Sequence, residues 1–290
     1  MLGEDGPVSR RAARAAGLLA VLVAVTTAGC SSGSDEPSSA PSSSTAASPS
    51  ASSSASPRAT IPPAPLERSC YALTYDQAVA PTSDVARVPC ARPHTAVTYA
   101  VGALDAVVDG HLLAVDSDRV QAQVAGTCPA RFAEFVGGSL DDRRLSMLRP
   151  VWFTPTVEQS DAGADWYRCD VVALASDERL APLAGPVADV LDSAEGRDRY
   201  GMCGTDQPGT RDFERVVCSQ DHSWRAIAVV PFPAGDYPGE QKVREAGQSP
   251  CQDAGASVAS DSLDYEWGYE WPTAEQWRDG QTFGRCWAPD

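Results

Sequence analysis

Pro155-Thr156-Val157-Glu158-Gln159, with Gly163 and then Arg168-Cys169 behind it, returns further along the chain as Pro272-Thr273-Ala274-Glu275-Gln276, with Gly280 and Arg285-Cys286 at the same offsets. Working outward, Arg87-Val88-Pro89-Cys90 is followed by His94, and Arg215-Val216-Val217-Cys218 is followed by His222 at the same distance from its cysteine. The cysteines fall into two matching sets, Cys70, Cys90, Cys128, Cys169 and Cys203, Cys218, Cys251, Cys286, the second slightly compressed. So many shared gaps read as one unit used twice, with the join somewhere in 181–199.

Each copy has the same coarse order. A short strand holds the first cysteine and a second ends at Cys90 or Cys218. A third alternates apolar residues, Val97-Tyr99-Val101 in one copy and Ile227-Val229 in the other. A helix follows, with Val120, Val124, Cys128, Phe132 and Val136 spaced every fourth residue and Gly137-Gly138 as a stop. Pro129 lies inside that stripe and predicts a kink or a break, because proline lacks the N–H and its ring clashes with the preceding turn. The second copy has Pro250 before Cys251 and a weaker stripe. Two further strands close each copy, through 148–153 and 169–174 in the first and from 265–271 and Cys286 in the second. The expected fold is α+β, two tandem copies of a small disulfide-stapled unit, each a mostly antiparallel sheet with a helix on one face.

Outside this region the chain changes character. Residues 1–30 read as a signal peptide: Arg10, Arg11 and Arg14 precede an uncharged apolar run from Ala15 to Thr26, too short to span a bilayer. The run ends in Thr27-Ala28-Gly29-Cys30, which resembles a bacterial lipobox with Thr27 where leucine is usual. The resemblance implies that Cys30 is acylated and becomes the mature N-terminus. The other reading is an ordinary secretory signal with a chance cysteine. Ser9-Arg10-Arg11 resembles a twin-arginine signal, but Ala12-Ala13-Arg14 lacks the bulky apolar residue expected next, so both export routes stay open. Residues 31–66 are almost all Ser, Ala, Pro and Thr, too poor in large apolar side chains to offset the entropy of ordering, and read as a disordered stalk. The remaining divisions are module 1 at 67–180, a linker at 181–199 and module 2 at 200–290. The expected location is the extracytoplasmic face of the cell membrane, with the lipid anchor as the membrane partner.

The formal charge is −16, from 39 acidic and 23 basic side chains, and Lys242 is the single lysine. Residues 1–65 contain Glu4, Asp5, Asp35 and Glu36 against Arg10, Arg11, Arg14 and Arg58, so the folded region carries the whole imbalance. That excludes nucleic acid and electrostatic adhesion to anionic lipid as expected partners.

The unit resembles the actinobacterial septum-formation domain, a four-cysteine module. The residues that carry the resemblance are Val88 to His94 with Pro155 to Cys169, and Val216 to His222 with Pro272 to Cys286. Pro93-His94 matches the family's Pro-His step, whereas the second copy has Asp221-His222. The resemblance implies an envelope protein connected with septation and brings no activity to any residue.

An even set of cysteines in an exported chain predicts disulfides. If the units are self-contained, bridges stay within each set of four. The preferred pairing is Cys70–Cys90 and Cys128–Cys169, then Cys203–Cys218 and Cys251–Cys286. The Cys-x-x-x-His steps have donors that zinc uses, but oxidised cysteines supply no thiolate, and His94, His111 and His222 are the only histidines. His94 and His222 are therefore expected to be structural, with no metal and no cofactor. No Gly-x-Ser-x-Gly elbow is present, since Gly247-Gln248-Ser249-Pro250-Cys251 fails at its last position. Asp141-Asp142 and Glu266 with Glu270 read as a solvated face and not as an acid–base pair. In the run from Tyr265 to Trp271, Tyr265, Trp267 and Tyr269 align with the apolar face of the first copy and read as core. Trp271 aligns with Thr154 and is the candidate for stacking on a sugar ring. The expected function is a non-catalytic envelope module that binds cell-wall glycan or an envelope protein; the rival is a hydrolase acting on cell-wall material.

Overall fold

The computed structural model describes residues 60–261 and 263–290. Cys30, the apolar run before it and the stalk up to residue 59 lie outside the described residues. The chain opens with β1 (Cys70–Tyr71) and α1 (Tyr75–Val79), then β2 (Ala96–Ala103) and a small hairpin of β3 (Val107–Val108) and β4 (His111–Leu112). Next come α2 (Asp118–Val136), α3 (Leu140–Arg144), β5 (Leu148–Phe153), α4 (Val157–Asp161), β6 (Trp166–Ser176) and β7 (Arg179–Ala181). A 3-10 turn at Val190–Asp192 and α5 (Ala194–Tyr200) lead to β8 (Met202–Gly204), β9 (Arg215–Val217) and β10 (Trp224–Pro231). The last elements are α6 (Glu240–Ala246), α7 (Gln248–Val258), β11 (Gly268–Glu270), α8 (Ala274–Arg278) and β12 (Phe283–Pro289).

Among the described residues every strand pair is antiparallel, and the fold is α+β. One sheet runs β5-β6-β2-β1, with Val88 bridging to Cys70 at its far side and β7 lying against β6. The other runs β11-β12-β10-β8-β9. Four disulfides, Cys70–Cys90, Cys128–Cys169, Cys203–Cys218 and Cys251–Cys286, each stay inside one set of four cysteines.

The central pair of each sheet carries a bulge at the corresponding place, between Thr98 and Ala100 against β6 and between Ala226 and Ala228 against β12. The bulge changes the expected alternation of Val97, Tyr99 and Val101, because an extra residue shifts which face a side chain takes. Tyr99 is buried and donates its hydroxyl to Cys128 O at 2.8 Å, while Val97 and Val101 are half-buried.

Helix α2 is neither broken nor ended by Pro129, contrary to one branch of the expectation. Proline removes a single ladder bond, and the stripe Val120, Val124, Cys128, Phe132 and Val136, all buried, holds the helix to the sheet on both sides of it. The break comes in the second half, where α6 ends and α7 begins around Gly247, and Pro250 sits in the first turn of α7. There the missing N–H has no helical partner to lose. Gly247 is required for a separate reason: a Cβ there would lie 1.9 Å from the Tyr269 ring.

The two Pro-Thr motifs, which carried no helix in the sequence reading, open α4 and α8. Thr156 accepts from Gln159 N and Thr273 from Gln276 N, and each glutamine reaches back to its threonine's N–H, completing a capping box. The glycines that follow, Gly163 at φ +100 and Gly280 at φ +93, turn the chain out of these helices through a region other residues avoid.

One continuous cluster of buried residues contains Tyr99, Val120, Phe132, Leu148 and Val171, and also Tyr200, Met202, Trp224 and Trp287. The two sheets therefore share a core. The segment 181–199, read as a linker, is packed into it through Leu183, Val187, Val190 and Leu191. Backbone bonds stitch the halves together: Met147 N donates to Tyr200 O and Met202 N to Leu145 O, both at 2.7 Å. Among the described residues no helix is long and apolar enough to cross a membrane.

Candidate functional site

The repeated histidines sit in equivalent turns ahead of β2 and β10. His94 Nδ1 lies 2.8 Å from Arg92 O, and His222 Nδ1 lies 2.6 Å from Gln220 O, so each ring is pinned by a carbonyl two residues back. The remaining nitrogens differ. His222 Nε2 meets Asp290 Oδ2 at 3.1 Å, and the same oxygen accepts from Arg225 Nε at 2.5 Å. Burial alone would raise the Asp290 carboxyl, but the bonds from Arg225 and His222 outweigh it and hold the group below its ordinary value. His94 Nε2 has no protein partner among the described residues. Strand register explains the contrast. Val172 and Pro289 hold corresponding places opposite Ala96 and Trp224, so the next residues, Ala173 and Asp290, correspond, and only one of them is acidic.

His222 and Asp290 form a metal-like group with Cys203. Cys203 is bonded to Cys218, so its sulfur offers no thiolate, and Arg225 already occupies the carboxylate. His111 lies exposed on β4.

The repeated arginines are buried and differently paired. Arg168 lies 3.0 Å from Asp170 Oδ2, off the direction of a hydrogen bond, and its guanidinium stacks over the rings of Tyr71 and Phe153 at 3.9 and 4.4 Å. Thr98 donates to the other Asp170 oxygen at 2.7 Å. Burial pushes the Asp170 carboxyl up to about 6, against the pull of Arg168 and Thr98. Arg285 pairs instead with Glu270 on the neighbouring strand, which also holds Arg215, and its Nε donates to Arg144 O at 3.2 Å. Burial lowers Arg285 to about 10, with the nearby arginines adding to the effect and Glu270 opposing it. Glu270 is thus a half-buried counter-ion and not part of a solvated face. Glu266 is exposed, and Asp142 caps α3 through Ser139 and pairs with Arg197 at 3.7 Å. The carboxylates named in the sequence are not brought together.

Tyr269 is buried, and its hydroxyl donates to Val243 O at 2.8 Å, as Tyr99 does to Cys128. Trp267 packs half-buried against the same cluster, whereas Tyr265 lies outside the short strand β11. Trp271 is half-buried beside Tyr269, with the Arg244 guanidinium 5.0 Å from its ring centre. One ring face is therefore already covered.

The opening the sequence did not disclose lies beside the Cys70–Cys90 bridge. A groove of about 540 Å³ is lined by Arg68, Arg92, His94, Val97, Leu183 and Val187 among others, with no acidic side chain in its wall. A second groove of about 680 Å³ shares Arg68 and the disulfide and adds Arg87. Arg68, Arg87 and Arg92 are exposed and form no ion pair among the described residues. Their clustering runs against the acidic charge of the chain. The one forward signal was Pro93-His94, and the partners from 183–187 were hidden in what read as a linker.

No curated protein and no solved structure matches the chain. The family model described as septum formation matches residues 67–286, a span that takes in both sheets, all four disulfides and the groove, and the chain belongs to that family.

Proposed function

We propose that this chain is an extracytoplasmic lipoprotein, held to the cell membrane through acylated Cys30, that acts in septation as a non-catalytic module binding cell-wall glycan or an envelope protein. We propose as well that its two sheets are tandem copies of one unit. The observation that carries the reading is that the residues occurring twice are occupied in local structure. The cysteines are bridged, the histidines pinned to carbonyls, the threonines capping helices, the glycines at positive φ, and Arg168 and Arg285 in ion pairs. A scaffold duplicates such residues automatically, whereas a reaction centre has no need of them twice. The family description supports the link to septation.

Fluorescent fusions expressed in dividing cells test both parts. The intact chain is expected at the membrane of division septa, and Cys30→Ala in the soluble exported fraction. An even distribution around the envelope sinks the septation role, and a Cys30→Ala chain that still sediments with membranes sinks the anchor. Release of soluble sugar from purified cell wall by the chain would favour the rival hydrolase.

A further inference from the structure

We propose that the groove beside the Cys70–Cys90 disulfide is a carboxylate-binding site, in which Arg68, Arg92 and His94 Nε2 receive the carboxylate. Val97, Pro93 and Pro186 receive a small apolar group next to it. The ligand class is an apolar residue at the end of a peptide chain. The inference rests on the reading of the chain as a binding module and names what one of its surfaces takes.

The argument starts from an internal comparison. In the second half the pinned histidine uses its free nitrogen, together with Arg225, to hold the Asp290 carboxylate. In the first half the histidine is pinned in the same way, but Ala173 stands at the place of Asp290, and its Nε2 is left without a protein partner. The ring is 6% exposed and lines the groove, and its Nε2 is not sealed from solvent. An imidazole nitrogen at a groove wall keeps hydrogen-bonding capacity that a ligand can use. Where the second half has an internal acid, the first half has an open groove with two unpaired guanidiniums at its rim. Neither Arg68 nor Arg92 forms an ion pair among the described residues, so both guanidiniums are open to an added carboxylate. Guanidinium and carboxylate match in shape and charge, and two arginines with an imidazolium, whose Nδ1–H stays on the Arg92 carbonyl while its Nε2–H donates to the ligand, can satisfy both oxygens.

The floor decides what accompanies the charge. Val97 is half-buried and Pro93 and Pro186 are exposed, and these lining residues present an apolar surface beside the polar groups. A phosphate or an acidic sugar would bring a hydrated flank against that surface. An apolar residue bearing a terminal carboxylate fits both parts.

The three histidines make the imidazole spectrum simple enough to read binding directly. The purified full chain is titrated with N-acetylvaline, and the ring signals are followed by NMR, with His94 assigned through His94→Gln. N-acetylvaline is expected to move the His94 signals saturably and leave His222 in place, since the His222 Nε2 is already engaged. N-acetylvalinamide, which lacks the charge, should have no effect. Acetate, inorganic phosphate and glucuronate, which lack the apolar flank, should each bind at least fivefold more weakly. Arg68→Gln with Arg92→Gln, both at exposed positions, should weaken N-acetylvaline at least tenfold while the His222 signals report an unchanged fold. A His94 signal that N-acetylvaline does not move, or binding that survives the double arginine change, overturns the site. Phosphate or glucuronate binding as tightly as N-acetylvaline overturns the apolar half of the assignment. The septal localisation of the fusion is read independently, so the two readings fail separately.

Discussion

Arg168 and Arg285 occupy the same place in their strands yet find their carboxylates in different directions, Asp170 two residues on in the same strand and Glu270 across the ladder. A buried guanidinium needs a counter-charge from somewhere, and a repeated sequence leaves the source free to differ. Asp170 is the more exposed to pH. Its carboxyl is pushed from 3.8 to about 6, chiefly by burial. Between those values the folded chain holds a proton that the unfolded chain has released. The stability tied to that proton is complete below about pH 4 and is lost as pH rises through about 6. The size of the effect is about 3 kcal/mol. Urea unfolding should therefore show wild type losing about that much relative to Asp170→Asn between pH 4 and 7. A constant difference across that range rejects the assignment.

At the scale of elements, α4 and α8 depend on their first residue. Both helices are too short to persist alone, so the capping box and the turn glycine fix where they begin and end. Thr156→Ala and Thr273→Ala should each cost about 1 kcal/mol, and serine at either position should restore most of it. Equal loss from serine and alanine in urea unfolding would show that the methyl group, and not the hydroxyl, matters. These helices were legible in advance: Thr-x-x-Gln before an acidic turn is a start signal, passed over because strand patterns stood on either side. The course of α2 was legible from its stripe, but its passage through Pro129 was not, since local rules price the lost bond and not the packing that outweighs it. Glu270 gave no sign of its role, because an acidic residue in an aromatic run does not show which arginines lie across the sheet.

At the scale of the whole molecule, the cysteine sets and recurring motifs disclosed the two sheets and their order, but not the core between them. Met147, Leu148 and Trp287 look like the interior of separate units until the backbone bonds at Tyr200 and Met202 bring the halves together. The stretch 181–199 has too little periodicity to announce that Val187, Val190 and Leu191 are buried. The shared core makes a definite expectation. The chain should melt in one calorimetric transition, and a fragment ending at residue 180, deprived of Tyr200, Met202 and Trp287, should bind hydrophobic dye and lack a sharp transition. A fragment melting cooperatively near the full chain's midpoint would show instead that the first sheet needs no partner. The joint also bears on heredity. Strands bonded across the halves mean that a gene fragment encoding one sheet specifies an unfinished surface, so recombination can move this region intact but cannot deal its halves out singly. A change at Leu145, Met147, Tyr200 or Met202 therefore reaches both sheets, whereas a change in the loop beside Cys70–Cys90 stays local.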